Sequence, residues 1–136
     1  MSGSSNGIVR KSSVWPMPRM LVVKVTCGPE DPERCNQAFT VAASAVAAGA
    51  EVSLWLTGEA AWFALPGRAA EFSLPLAAPL DSLLDTIVTG GRVTLCTQCA
   101  ARREITAEDV IPCVQIAGAA VFAEEILREG VQAVVY

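Results

Sequence analysis

The sequence predicts an α/β domain: a three-layer, doubly wound and mainly parallel sheet of four or five strands with helices on both sides. Three observations lead there. Short β-branched runs recur that are nearly continuous in apolar residues, as strands covered on both faces require. The stretches between them carry apolar residues at helical spacing, and Gly or Pro marks most of the junctions. Such alternation builds parallel pairs joined by right-handed crossovers.

Met20 to Thr26 reads as the first strand. Asp31 then stands at a helix N-cap position, with Pro32 first in the helix and Glu33 in its positive first turn. Cys35, Ala38, Phe39, Ala42 and Val46 form the face that packs on the sheet, and Gly49 stops the helix. Glu51 to Leu56 is the second strand, and Glu59 to Leu65 a short helix closed by Pro66 and Gly67. Trp55 and Trp62 are read as core or interface residues. Arg68 to Pro79 has no period and carries Pro75 and Pro79, so it is an irregular connection. Asp81 or Ser82 can cap a helix that runs through Val88 and ends at Gly90 and Gly91. Arg92 to Leu95 is the third strand, with Cys96 at its end. A helix follows from just after Cys96 to about Arg103, and Thr106 with Asp109 suits a capping arrangement for one more turn. Val114 to Ile116 is the fourth strand. Ala119, Phe122, Ala123 and Ile126 then share a helical face opposite Glu125, Arg128 and Glu129, and after Gly130 the run Val131 to Val135 is the last strand.

At 136 residues the chain fits one domain, placed at residues 20–136. Residues 1–19 are rich in Ser and Pro, lack the apolar core of a secretory signal, and read as a flexible tail in which Trp15 is solvated. Apolar residues make up 52% of the chain and charged ones 18%, a surplus of apolar surface that points to a homo-oligomer. The net charge of −4 argues against nucleic acid, whose binding needs clustered Lys and Arg. The most apolar stretch, Ala38 to Ala50, is broken by Thr40, Ser44 and Gly49 and falls short of the roughly 20 residues that span a bilayer, so no membrane partner is expected. A cytoplasmic location follows from the missing export signal, and there the five cysteines meet a reducing medium.

The loop Cys27-Gly28-Pro29-Glu30-Asp31 offers one Gly and two carboxylates where a phosphate cradle needs several glycines, so no nucleotide cofactor is expected. There is no histidine, which excludes Ser-His-Asp and Cys-His catalysis. The most informative stretch is Thr94 to Ile105. A strand there runs into Cys96, with Cys99 one turn on and Arg102 and Arg103 beyond it. A thiol at a helix start beside guanidinium groups is favoured as the thiolate that attacks or carries sulfur. The plainer alternative makes such a strand-end cysteine a small buried hydrophobe. Cys113, beside Pro112 in an apolar run, is read as packing.

This stretch resembles the DsrE/TusD-like (DsrE/DsrF-like) sulfur-relay family, in which a strand ends in a cysteine and a small helical segment closes with Arg-Arg-Gly-hydrophobic. Cys96, Arg102, Arg103 and Ile105 occupy matching positions. Glu104 stands where the family commonly has Gly, and Cys99 is an additional thiol. The likeness extends more weakly over Met20 to Tyr136, through Gly28-Pro29-Glu30-Asp31-Pro32-Glu33 and Gly49-Ala50-Glu51-Val52. It implies a persulfide carrier of sulfurtransferase type, with Cys96 catalytic and Cys99, Cys27, Arg102 and Arg103 in support. It further implies donor and acceptor proteins as partners, association as a trimer or hexamer, and no cofactor.

Two other classes stay open: a non-catalytic binding or regulatory domain of the same fold, and a Cys-x-x-Cys thiol-redox or zinc-binding protein. Cys27 and Cys96 are expected at the carboxyl ends of neighbouring strands, with Cys35 and Cys99 one turn into the following helices, so that four thiols converge. Persulfide carriage ranks first, redox second and zinc third, because the first pair is spaced Cys-x7-Cys, wider than a zinc knuckle.

Overall fold

Five strands pair in parallel in the order β4-β3-β2-β1-β5 in a computed structural model that describes residues 19–136. The tail expected over residues 1–19, Trp15 included, lies outside the described residues except for Arg19. The strands are β1 (Met20–Val25), β2 (Glu51–Leu56), β3 (Arg92–Cys96), β4 (Val114–Ala117) and β5 (Val131–Val135). The helices are α1 (Pro32–Ala47), α2 (Leu80–Gly90), α3 (Thr97–Arg102) and α4 (Ala119–Ile126), with 3-10 segments at Gly58–Ala64 and Ala69–Glu71 in the connection after β2. None of the described helices is long and apolar enough to cross a membrane.

The order explains the layers. From β1 to β4 each crossover steps the same way, and α4 then carries the chain back across the sheet to β5. Right-handed crossovers therefore put α1 and α2 on one face and α4 on the other. Strand alternation divides the side chains accordingly. Val23, Val25, Leu54, Leu56, Val93 and Leu95 join one core with Ala38, Phe39 and Ala42 of α1 and Leu84 and Ile87 of α2. The opposite face buries Val22, Ser53, Trp55 and Thr94. Phe122 of α4 meets Trp55 there edge to face, with centroids 5.3 Å apart.

Several local expectations are corrected. Glu125, assigned to the polar face of α4, is only 4% exposed. Its carboxylate accepts hydrogen bonds from Ser53 Oγ (2.7 Å), Trp55 Nε1 (3.1 Å) and Arg92 Nη2 (3.3 Å), so β2 and β3 supply the donors that make its burial tolerable. The residue before α2 is Pro79 rather than Asp81 or Ser82, and its carbonyl takes the Ser82 and Leu83 N–H groups. Asp109 does accept from the Thr106 N–H and hydroxyl, at 2.8 and 2.9 Å, but the capped segment is a turn and not a helix. Cys113 is exposed, with φ 78°, and packs no core.

Candidate functional site

In a doubly wound sheet the crevice opens between adjacent strands whose outgoing connections leave to opposite faces. Here that pair is β3 and β4. The chain after β3 enters α3, whose Cys99 and Ala100 join the core under α1 and α2, whereas the chain after β4 enters α4 on the other side. Cys96 ends β3 opposite Ala117, the last residue of β4, so it sits at the switch point. Alternation from Arg92 through Thr94 starts Cys96 towards the face that α4 covers, and at the strand end its side chain also packs against the core in which Cys99 lies. The Cys96 side chain is partly exposed, and Cys99, one turn on, is buried at 8% exposure.

Charge and hydrogen bonding at Cys96 favour the thiolate. Burial opposes ionisation, but the Cys99 amide and thiol, the Gln98 amide and the positive charge of Lys24 outweigh it and bring the thiol's pKa below its ordinary value. Lys24, whose Nζ lies 4.9 Å from the Phe122 ring centroid, is the cation of the site. Sequence reasoning passed over it, although a lone charge within the apolar strand Met20–Val25 was the signal.

Cys99 is held from two sides. The Gly58 N–H donates to Cys99 Sγ at 3.2 Å. Only glycine fits at that position, because φ is +54° and a Cβ would come within 2.3 Å of the Thr26 carbonyl oxygen. At the other end of α3, the Glu104 N–H reaches Ala101 O (3.1 Å) and the Ile105 N–H reaches Ala100 O (2.9 Å), a Schellman pair with Glu104 in the left-handed region at φ 56°. A glycine is the natural residue there, which accounts for the Arg-Arg-Gly pattern from which this sequence departs.

The remaining predicted site residues lie elsewhere. β2 separates β1 from β3, so Cys27 and Cys96 share the carboxyl end of the sheet but stand two strand spacings apart, about 10 Å. That is too far for a disulfide. Cys27 instead neighbours Cys35 beneath α1. Burial, then Asp31 and Glu30, raise the Cys27 pKa against the lowering effect of Arg34. Burial, then Cys27, Glu30 and Asp31, push Cys35 up to about 12. Cys27, Cys35 and Cys99 share one buried core, and Cys96 is the partly exposed thiol at its edge. Among the described residues no group of three or more His, Cys, Asp or Glu side chains is placed to hold a metal ion.

Arg103 does not serve the thiolate directly. Its guanidinium clasps Glu59 Oε2 through Nε (3.2 Å) and Nη2 (2.7 Å), and Nη1 donates to the Cys99 carbonyl at 3.1 Å, so it fixes α3 against the 3-10 segment. Arg102 is exposed and donates to Gln98 Oε1 at 3.3 Å. A cleft of about 550 Å³ opens beside this clasp, lined by Glu30, Glu59, Trp62, Arg68, Glu71 and Phe72 among others. It contains neither Cys96 nor Cys99, and its carboxylates disfavour an anionic sulfur species.

Fold and site together define a doubly wound α/β domain with a half-exposed thiol at the switch point of a five-stranded parallel sheet. The chain belongs to the DsrE/DsrF-like family, whose model matches residues 20–134. The fold is shared with solved structures, among them the following two. The ychN protein from E. coli is 18% identical, with a TM-score of 0.68 over 87% of this chain and 100% of its own. MTH1491 from Methanobacterium thermoautotrophicum, described as a protein of unknown function, is 8% identical, with a TM-score of 0.65 over 87% of this chain and 99% of its own. No curated protein matches the sequence.

Proposed function

We propose that this protein is a persulfide carrier of the sulfur-relay type, with Cys96 as the residue that is loaded. The Cys96 thiolate attacks the terminal sulfur of a donor persulfide; the donor thiolate leaves, and Cys96 holds the sulfur as Cys–S–SH for an acceptor thiolate to take. The observation that supports this reading is the environment of Cys96: partly exposed at the switch point, with the Cys99 and Gln98 donors and the charge of Lys24 lowering its pKa. Family membership is consistent with it. Reaction with a low-molecular-weight persulfide, quenched rapidly with an alkylating agent and read by intact mass and peptide mapping, tests the reading. Sulfur is expected on Cys96 and absent from Cys96→Ser. Equal labelling of the variant overturns it.

Self-association belongs to the same proposal. Val121 and Leu127 around α4, with Val134 and Val135 on β5, expose apolar surface next to a strand edge that is unpaired among the described residues. Association through this side covers both, as a trimer or a multiple of one. Light scattering at high micromolar concentration is expected to give an oligomer, and a monodisperse monomer refutes it.

A further inference from the structure

In simple sulfur carriage Cys99 only favours the Cys96 thiolate and holds no sulfur itself, yet it is placed as a partner for Cys96. The two are spaced Cys-x-x-Cys across the β3–α3 junction, where residues one turn apart bring their Cβ atoms to about 5–6 Å. A disulfide then needs only a small closure. Exposure divides the roles: Cys96 meets solvent, whereas Cys99 is buried, with the Gly58 N–H on its sulfur. The Cys99 side chain lies near enough to favour the Cys96 thiolate. Cys27 follows a strand that β2 separates from β3 and Cys35 is wholly buried in α1, so neither stands one turn from Cys96 as Cys99 does.

We infer that Cys99 is a resolving thiol that clears sulfur from Cys96 as hydrogen sulfide when no acceptor takes it. This rests on the carrier reading above and adds a second exit for the bound sulfur. Cys99, as thiolate, attacks Cys96 Sγ; the bond between Cys96 Sγ and the terminal sulfur breaks, and that sulfur leaves with the electron pair as hydrosulfide. The proton released by Cys99 balances it to hydrogen sulfide. One sulfane sulfur is reduced and two thiols are oxidised to the Cys96–Cys99 disulfide, which an external dithiol returns to the reduced state. The protein thereby partitions a persulfide between transfer and release, according to whether an acceptor arrives before Cys99 closes.

The test loads the full chain with a stoichiometric low-molecular-weight persulfide, removes the excess, and follows intact mass, released sulfide and the disulfide peptide map over time. Wild type is expected to lose the added sulfur, to release an equivalent of sulfide and to yield a peptide linking Cys96 to Cys99. Cys99→Ser and Cys99→Ala are expected to keep the added sulfur on Cys96 and to lose the sulfide release. If wild type keeps its persulfide as long as the variants do, the resolving role is overturned while the carrier reading stands. A Cys27–Cys35 disulfide in place of Cys96–Cys99 also overturns it. If neither wild type nor variant takes up sulfur although Cys96 alkylates readily, the carrier reading fails and the inference with it. The wild-type peptide map requires no variant to fold.

Discussion

Replacing Glu104 with glycine is expected to stabilise the protein. Glu104 holds φ 56°, the left-handed conformation that closes the Schellman pair at the end of α3. For a residue with a Cβ that conformation costs about 1–2 kcal/mol. Glycine removes the cost but loosens the unfolded chain, which returns about 0.4–1 kcal/mol. The net gain is about 0.5–1 kcal/mol. At the unfolding entropy usual for a domain of this length, that raises Tm by about 2–4 °C. Thermal and urea melts of Glu104→Gly and Glu104→Ala against wild type decide the point. Alanine keeps the strain and is expected to gain nothing. If alanine stabilises as much as glycine, the carboxylate and not the backbone was the source. If glycine lowers Tm, the account of this helix end is wrong. Cys96 alkylation should be unchanged in both variants, since the motif anchors α3 at the end away from the thiol.

Three further outcomes follow from the charges and hydrogen bonds. The alkylation rate of Cys96 tracks its thiolate, so its midpoint should lie at lower pH than that of an ordinary cysteine, and Lys24→Met should move it upward; an unchanged midpoint removes Lys24 from the site. Cys35, with a folded pKa of about 12, binds its proton more tightly folded than unfolded. Its contribution is therefore complete below the unfolded thiol's value, about 8.5, and is lost as pH rises from there towards 12. Cys35→Ala should flatten that alkaline limb in urea melts, and an equally steep limb in the variant refutes the assignment. Glu125→Ala should destabilise by about 2–4 kcal/mol, because the Ser53 hydroxyl and Trp55 N–H are left buried and unpaired while half-exposed Arg92 rehydrates. Glu125→Gln, which keeps an acceptor, should cost about 1 kcal/mol, and equal losses in the two variants contradict the network.

The strands and helices were legible because burial on both faces makes β-branched runs and because Gly49, Gly90 and Gly130 punctuate them. Strand order was not. It depends on how far each crossover reaches, and no local pattern records that distance, so Cys27 was set beside Cys96 when β2 lies between them. Arg102 and Arg103 were assigned to the thiolate from their nearness in sequence, yet the carboxylate that captures Arg103 is Glu59, 44 positions away. Glu125 was misplaced because a helical wheel sorts residues by polarity alone. Ser53 and Trp55, alternating on one face of an otherwise apolar strand, were the donors that marked a buried acceptor opposite. The place of Cys96 at a strand end was legible from the stretch Thr94 to Ile105, since a strand ending directly in a helix start is a local pattern.

Cys27 and Cys96 stand at the same end of one sheet with opposite chemical character, and strand alternation starts them towards opposite faces. Cys27 continues the alternation of Val23 and Val25 under α1, where burial and the carboxylates of Glu30 and Asp31 keep its proton on. Cys96 continues that of Arg92 and Thr94 under α4, on the side of Lys24. Side chains alternate with a period of two, so a slip of β3 by one residue carries Cys96 to the α1 side and away from the cation. Arg92 lies four residues before Cys96 and is tied to Glu125, which β2 also holds through Ser53 and Trp55. A slip of β3 therefore has to turn Arg92 away from a buried carboxylate before it can turn Cys96. The network under α4 touches neither cysteine, but by fixing the parity of β3 it decides which electrostatic environment the switch-point thiol receives.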